Sequence, residues 1–260
     1  MKYKEQYTYT EKEQIKTIGQ EGSNCTIEIP SNITKLPKFN FCTCENLIAI
    51  NLPENVKKIC ESAFEDCFSL EVVIIPSVEE IGGSAFYNCE NLESIILPNN
   101  LEYIEDLTFG CCTNLKNIII PDSVERIGEY AFKNCESLKR INLPSSIERL
   151  DKYAFCSCSG LKEIVIPNSV TIIENGIFTL CKSLQEVTIK AKCKLPSDMF
   201  SGCKCLEKIK ITQESYSLSP DFVKKYKDEI EIIKSKTLDE LLDDGKSLRE
   251  ISQILKNEER

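Results

Sequence analysis

The chain has 260 residues, with 41 acidic against 32 basic side chains, giving a net charge of −9 and a sequence pI near 4.9. That balance argues against a phosphate-tracking surface, which needs a basic face, and so against nucleic acid as a partner. Histidine is absent, which removes the commonest general base and every Ser-His or Cys-His nucleophile pair, so no catalytic residue and no cofactor are assigned.

Residues 1–19 are polar and charged, without the apolar run that a secretory signal or a membrane span requires. The expectation is a chain that is neither exported nor inserted in a membrane, cytoplasmic, with the cell surface as the alternative location. Residues 1–29 read as an N-terminal cap. Tyr7 and Tyr9 alternate with threonines, Ile18 stands 23 residues before Phe41, and Ile27 and Ile29 precede Pro30 as Ile50 and Leu52 precede Pro53. This is a worn first repeat.

From 30 to 212 one phrase recurs, best seen as Phe132-x-x-Cys135-x-x-Leu138-x-x-Ile141-x-Leu143-Pro144. It begins at Phe41, Phe64, Phe86, Phe109, Phe132, Phe155, Phe178 and Phe200, in steps of 23 residues shortened to 22 at Phe64 to Phe86 and at Phe178 to Phe200. A constant period of this length with leucines at L-x-x-I-x-L predicts a solenoid of eight units, which grows by stacking coils rather than enlarging one core. Within a unit the strand lies at the end, Ile141 and Leu143 pointing inward and Arg140 and Asn142 outward. Proline then takes the chain out of the sheet, since it has no N–H for the ladder. V-x-x-I, as in Val124 and Ile127, places two residues on the opposite wall, and the phenylalanine fills the core as the chain turns back.

Eight of the fifteen cysteines hold the one repeat position three after the phenylalanine. They read as small, reduced, apolar packing groups. The close pairs Cys42/Cys44, Cys111/Cys112, Cys156/Cys158 and Cys203/Cys205 have C-x-C or C-C spacing rather than the C-x2-C of structural zinc, so no metal ligand is assigned.

The last unit loses its proline to Lys190. Beyond it, 213–234 reads as a C-terminal cap: Ser219-Pro220-Asp221 predicts a helix start with serine as N-cap, and Ile230, Ile232 and Ile233 resemble a further strand. Two capping boxes, Thr237-x-x-Glu240 and Ser247-x-x-Glu250, separated by Gly245, predict a helical hairpin at 238–244 and 248–257 within 235–260.

The outward strand positions are the candidate site. They run Ala49/Asn51, Val72/Ile74, Ser94/Ile96, Asn117/Ile119, Arg140/Asn142, Glu163/Val165, Glu186/Thr188 and Lys208/Lys210. Stacking brings Ile74, Ile96 and Ile119 into an exposed apolar strip bordered by Arg140, Glu163, Glu186, Lys208 and Lys210. Isoleucine also simply suits a strand, but contiguous exposed apolar area points to protein docking.

The combination L-x-x-I-x-L-P-x-S-V-x-x-I-x-x-x-A-F-x-x-C, over about residues 25–212, resembles the BspA-like leucine-rich repeat proteins of bacteria and parasitic protists. That resemblance implies an α/β repeat fold: a right-handed solenoid with a parallel β-sheet on one, commonly concave, face and irregular short turns on the other. It also implies binding rather than catalysis, as surface antigens and adhesins for host matrix proteins. The expected function is a protein-protein interaction scaffold. A cell-surface adhesin is the alternative, and a thiol-based redox or metal-binding protein a second one. Neither the partner nor the oligomeric state is indicated.

Overall fold

A computed structural model of the chain describes residues 16–18, 26–30 and 32–233. Tyr7, Tyr9 and the helical hairpin expected at 238–244 and 248–257 lie outside the described residues. The chain winds as a parallel β-solenoid, one repeat to a coil, and successive coils stack on three sides.

The first side is the strand after each leucine. Ala49–Asn51, Val72–Ile74, Ser94–Ile96 and Asn117–Ile119 pair in parallel, each at the same repeat position as its neighbour. Each alternates out, in, out, so that Ile50, Val73, Ile95 and Ile118 are buried. Proline ends the strand and begins a tight turn: the Pro53, Pro98 and Pro121 carbonyls accept the N–H of Val56, Leu101 and Val124 at 3.0–3.2 Å. A second parallel ladder joins Glu163–Ile166, Glu186–Ile189, Lys208–Ile211 and Ile230–Ile232. Where Lys190 replaces proline, its N–H donates to Ile166 O at 2.9 Å, a bond the imino acid has no hydrogen to make.

Between the ladders the expected strand at Arg140–Asn142 is missing, although Ile141 is buried as predicted.

The second side carries V-x-x-I, and it is more regular than short irregular turns. Lys35–Leu36, Lys58–Ile59 and Glu80–Ile81 form one parallel ladder; Tyr103–Ile104, Arg126–Ile127, Arg149–Leu150 and Ile172–Ile173 form another. The second residue of each pair is buried.

The third side is the turn around each phenylalanine, and it is built from left-handed backbone. Ser62 and Asp66 flank Phe64 with φ of 55° and 59°; Leu107 and Cys111 flank Phe109, and Tyr130 and Asn134 flank Phe132, in the same way. An L-residue in this region costs about 1–2 kcal/mol. The cost is offset because the twist turns backbone donors onto the next coil: Phe64 N–H reaches Ala85 O at 2.8 Å and Asp66 N–H reaches Tyr87 O at 2.9 Å. Among the described residues, glycine occupies such a position only at Gly176 and Gly202.

Inside, the phenylalanines from Phe41 to Phe200 form one stack, successive centroids 5.2–5.7 Å apart and rings within 15° of parallel. Beside it runs the thiol column. Cys67 Sγ–H donates to Phe41 O, Cys89 to Phe64 O, Cys112 to Phe86 O, Cys135 to Phe109 O, Cys158 to Phe132 O, Cys181 to Phe155 O and Cys203 to Phe178 O, at 3.0–3.2 Å. Cysteine suits the position twice over, as a small apolar group and as a weak donor to a buried carbonyl.

The ends differ from the coils. Lys16–Ile18 pairs antiparallel with Thr26–Glu28, which lies beside Ala49–Asn51. At the other end a helix not expected from the sequence, α1 (Gln213–Leu218), is capped by Thr212 Oγ1, which accepts the Ser215 N–H at 3.1 Å. The next, α2 (Pro220–Lys225), starts at proline as expected, but Ser219 does not cap it. Its hydroxyl instead accepts the Leu195 N–H at 2.8 Å, held by the solenoid before it. Ile230–Ile232 then adds the last parallel strand.

Candidate functional site

The outward rows fall on two ladders with different chemistry. In the first, Ala49, Val72, Ser94 and Asn117 make one column, and Asn51, Ile74, Ile96 and Ile119 the next. The rung residue between them is locked in the core, so these side chains are fixed facing solvent. Ile96 is 82% exposed and Ile119 78%, with Ile74 at 50% and Val72 at 48%. An isoleucine taken from such exposure to full burial contributes about 1.5–3 kcal/mol, which the fold leaves unspent here. The strip runs on into a shallow depression of about 580 Å³ between the proline turns, bounded by Ile74, Pro76, Ile96 and Pro98.

In the second ladder the columns are Glu163, Glu186 and Lys208, and Val165, Thr188 and Lys210. Its charges answer one another: Lys208 Nζ lies 2.6 Å from Glu231 Oε2, and Lys210 pairs with Glu186. The hydrogen bond to Glu231 raises the Lys208 pKa, and the same bond holds the Glu231 carboxyl below its ordinary value. Arg140 and Asn142 sit on the strandless coil between the ladders, both exposed, and Arg140 reaches Glu163 Oε1 at 2.8 Å. The predicted site residues therefore lie on one side of the molecule, but in two blocks. Val72, Ile74, Ser94, Ile96, Asn117 and Ile119 form the apolar block, and the rest a mainly polar one whose charges are largely paired, with Val165 exposed among them.

Two further features were not legible from the outward rows. On the opposite wall a depression of about 930 Å³ opens over Gly82 and Gly83, walled by the Lys58–Glu80 and Lys38–Glu61 pairs. Farther along that wall Asp151 is buried between Arg126 and Arg149, whose Nε atoms bond its two carboxylate oxygens.

The close cysteine pairs differ in burial: both Cys156 and Cys158 are buried, Cys42 and Cys44 are both half-buried, and in the other two pairs one member is more exposed than the other. Cys112 and Cys158 belong to the buried column, while Cys111 lies half-buried between Tyr87 Oη and Asn134 Nδ2 at 3.7 and 3.5 Å, and Cys156 lies against Ser157. Burial pushes the Cys67, Cys89, Cys112, Cys135 and Cys158 thiols well up from their ordinary value. Among the described residues no three Cys, Asp or Glu side chains come together as a ligand set, and no helix is long and apolar enough to cross a membrane.

Comparison with known proteins agrees with this architecture. The model of the BspA type leucine-rich repeat region matches in six copies over residues 20–127 and 102–227. No curated protein matches. A leucine-rich repeat protein from Bacteroides ovatus is 24% identical with a TM-score of 0.58, over 80% of this chain and 60% of that one, so this chain spans less than two thirds of its length. A leucine-rich cell surface protein from Faecalibacterium prausnitzii is 23% identical with a TM-score of 0.44, over 84% of this chain and 80% of that one. The pneumococcal vaccine antigen PcpA is 20% identical with a TM-score of 0.47, over 74% and 68%. With stacked coils, a phenylalanine and cysteine core and a family model covering most of its length, the chain belongs to the BspA-type leucine-rich repeat family.

Proposed function

We propose that the chain is a non-catalytic protein-interaction scaffold whose partner docks on the exposed sheet face. Val72, Ile74, Ser94, Ile96, Asn117 and Ile119 make the apolar centre, and Arg140, Asn142, Glu163, Val165, Glu186, Thr188, Lys208 and Lys210 the polar flank. One observation carries this reading: Ile96 and Ile119, neighbours in register on a rigid ladder, are more than three-quarters exposed. Unfolding entropy and core packing do not require isoleucine at a solvent-facing rung, and a contiguous strip of it is the anatomy of an interface centre. The face offers aliphatic area and paired charges rather than a nucleophile beside a base.

The test compares two sets of variants. Ile96→Asp and Ile119→Asp leave the far-ultraviolet spectrum and melting temperature near the parent's and abolish capture of the native partner in a pull-down from the source organism. Cys112→Asp and Leu115→Asp, both at buried positions, put a charge in the core and unfold the coils. Equal loss of folded protein from both sets removes the exposed strip, and capture that survives Ile119→Asp moves the interface elsewhere. Surface labelling of intact cells separates an intracellular scaffold from a cell-surface binding protein.

A further inference from the structure

Resting on the docking reading above, we infer that the partner presents an acidic, aliphatic segment: a short stretch of Ile, Leu or Val side chains followed by carboxylates past one end. The apolar centre says only that something covers it. The charge beside it says what kind of segment fits.

Lys116, Lys139 and Lys162 hold one repeat position on three consecutive coils. Their backbones tie into the same column, Lys116 N–H donating to Glu93 O at 3.0 Å and Lys162 N–H to Lys139 O at 3.4 Å. Arg140 stands next to Lys139, its side chain 79% exposed. Four cations thus gather on adjacent rungs of a chain whose net charge is −9. Glu93 answers Lys116 and Glu163 answers Arg140. Among the described residues neither Lys139 nor Lys162 has an ion-pair partner, and both are exposed. This contrasts with the second wall, where Lys38, Lys57 and Lys58 are matched by Glu61, Glu79 and Glu80.

The position of the column relative to the strip sets the spacing. Lys116 precedes Ile119 by three residues on an extended strand, so the two columns lie roughly 10 Å apart. Rungs spaced ~4.8 Å put Ile74, Ile96 and Ile119 over a similar length in the other direction. Beside Ile74 and Ile96 that repeat position carries Glu71 and Glu93, so the unpaired cations lie one and two coils past Ile119, and a segment laid across the rungs with its aliphatic side on the strip brings carboxylates beyond the Ile119 end over Lys139 and Lys162. A basic margin meets like charge there, and a second copy of this chain brings its own lysine column against this one. Electrostatic complementarity of this kind mainly decides which partner is accepted and how fast it arrives.

The experiment selects peptides from a random displayed library against the full chain and measures recovered peptides by fluorescence anisotropy with the parent, Ile119→Asp and the double variant Lys139→Glu/Lys162→Glu. The expected peptides combine Ile, Leu or Val with Asp or Glu. They lose binding to Ile119→Asp, bind the double variant roughly tenfold more weakly, and weaken as salt rises from about 50 to about 500 mM. Peptides that need Ile119 but are neutral or basic, and that bind the double variant unchanged, overturn the acidic partner and leave the docking face standing. Peptides indifferent to Ile119 remove both. Self-association abolished by Ile119→Asp shows a second copy on the strip, and tighter peptide binding by the full chain carrying Ile251→Asp shows the chain's own C-terminal segment there; either result overturns the proposal.

Discussion

Replacing Cys135 by alanine tests the thiol column at its centre. The side chain is fully buried, and its Sγ–H donates to Phe109 O at 3.2 Å. Removing the sulfur loses about 1 kcal/mol of transfer free energy. A void of about 20 Å³, at ~24 cal/mol per Å³, adds ~0.5 kcal/mol. Loss of the hydrogen bond adds only a few tenths, because a thiol is a weak donor and Phe109 O keeps the Cys112 N–H at 3.3 Å. The sum is about 2 kcal/mol, read as a fall in melting temperature of roughly 4–8 °C by calorimetry or as the matching shift of a urea midpoint. Serine keeps a donor but exchanges sulfur for a smaller, more polar atom, so Cys135→Ser falls by a similar amount. Valine replaces the sulfur with apolar volume and no donor. Cys135→Ala melting within a degree of the parent would show that the thiol fills no needed space, and Cys135→Val melting above the parent would show that its hydrogen bond to Phe109 O contributes nothing.

Native-state alkylation near pH 8 should modify exposed Cys205 readily and leave Cys112, Cys135 and Cys158 untouched until denaturant is added, because burial raises their pKa values and keeps those thiols protonated; peptide mass spectrometry reads the pattern, and rapid labelling of Cys112 or Cys135 would contradict it. Burial pushes Cys193 up to about 11, so it too resists labelling. Leu180 holds a left-handed φ of 62° while 45% exposed, and Leu180→Asn should stabilise by up to about 1 kcal/mol in urea unfolding, since Asn tolerates that region better. Asp151→Asn leaves two arginines sharing a site without its charge and should cost about 1–3 kcal/mol, the partial exposure of both arginines keeping the loss below that of a fully enclosed pair.

Much of the coil was legible because its signals repeat. Phe64, Cys67 and Leu70 are each ambiguous alone, but the same three side chains at one spacing in eight units fix which face turns inward, and each of these three is fully buried. The exposed isoleucines follow from the same alternation. What the sequence hid depends on neighbours in space. Leu107, Tyr130 and Tyr153 carry no turn signature, yet adopt left-handed backbone because the next coil presents carbonyls there. Ser219 has the local context of an N-cap, but the Leu195 N–H, 24 residues away, takes its hydroxyl. The coil at Arg140–Asn142 carries the same buried isoleucine as its neighbours, so nothing in its own pattern marks the missing strand. The cationic column at the site was likewise hidden, because its lysines lie just before the outward rung positions.

The aromatic stack closes differently from how it runs. Past Phe200 the rings no longer lie flat: Phe222 is inclined at 59° and Tyr226 meets Phe200 edge-on at 80°. A head-to-tail polymer of such molecules would need its trailing surface to reproduce the one each internal coil shows its successor. Among the described residues the last rings are turned on edge, so the flat platform that each internal coil offers its successor is not repeated beyond Phe200.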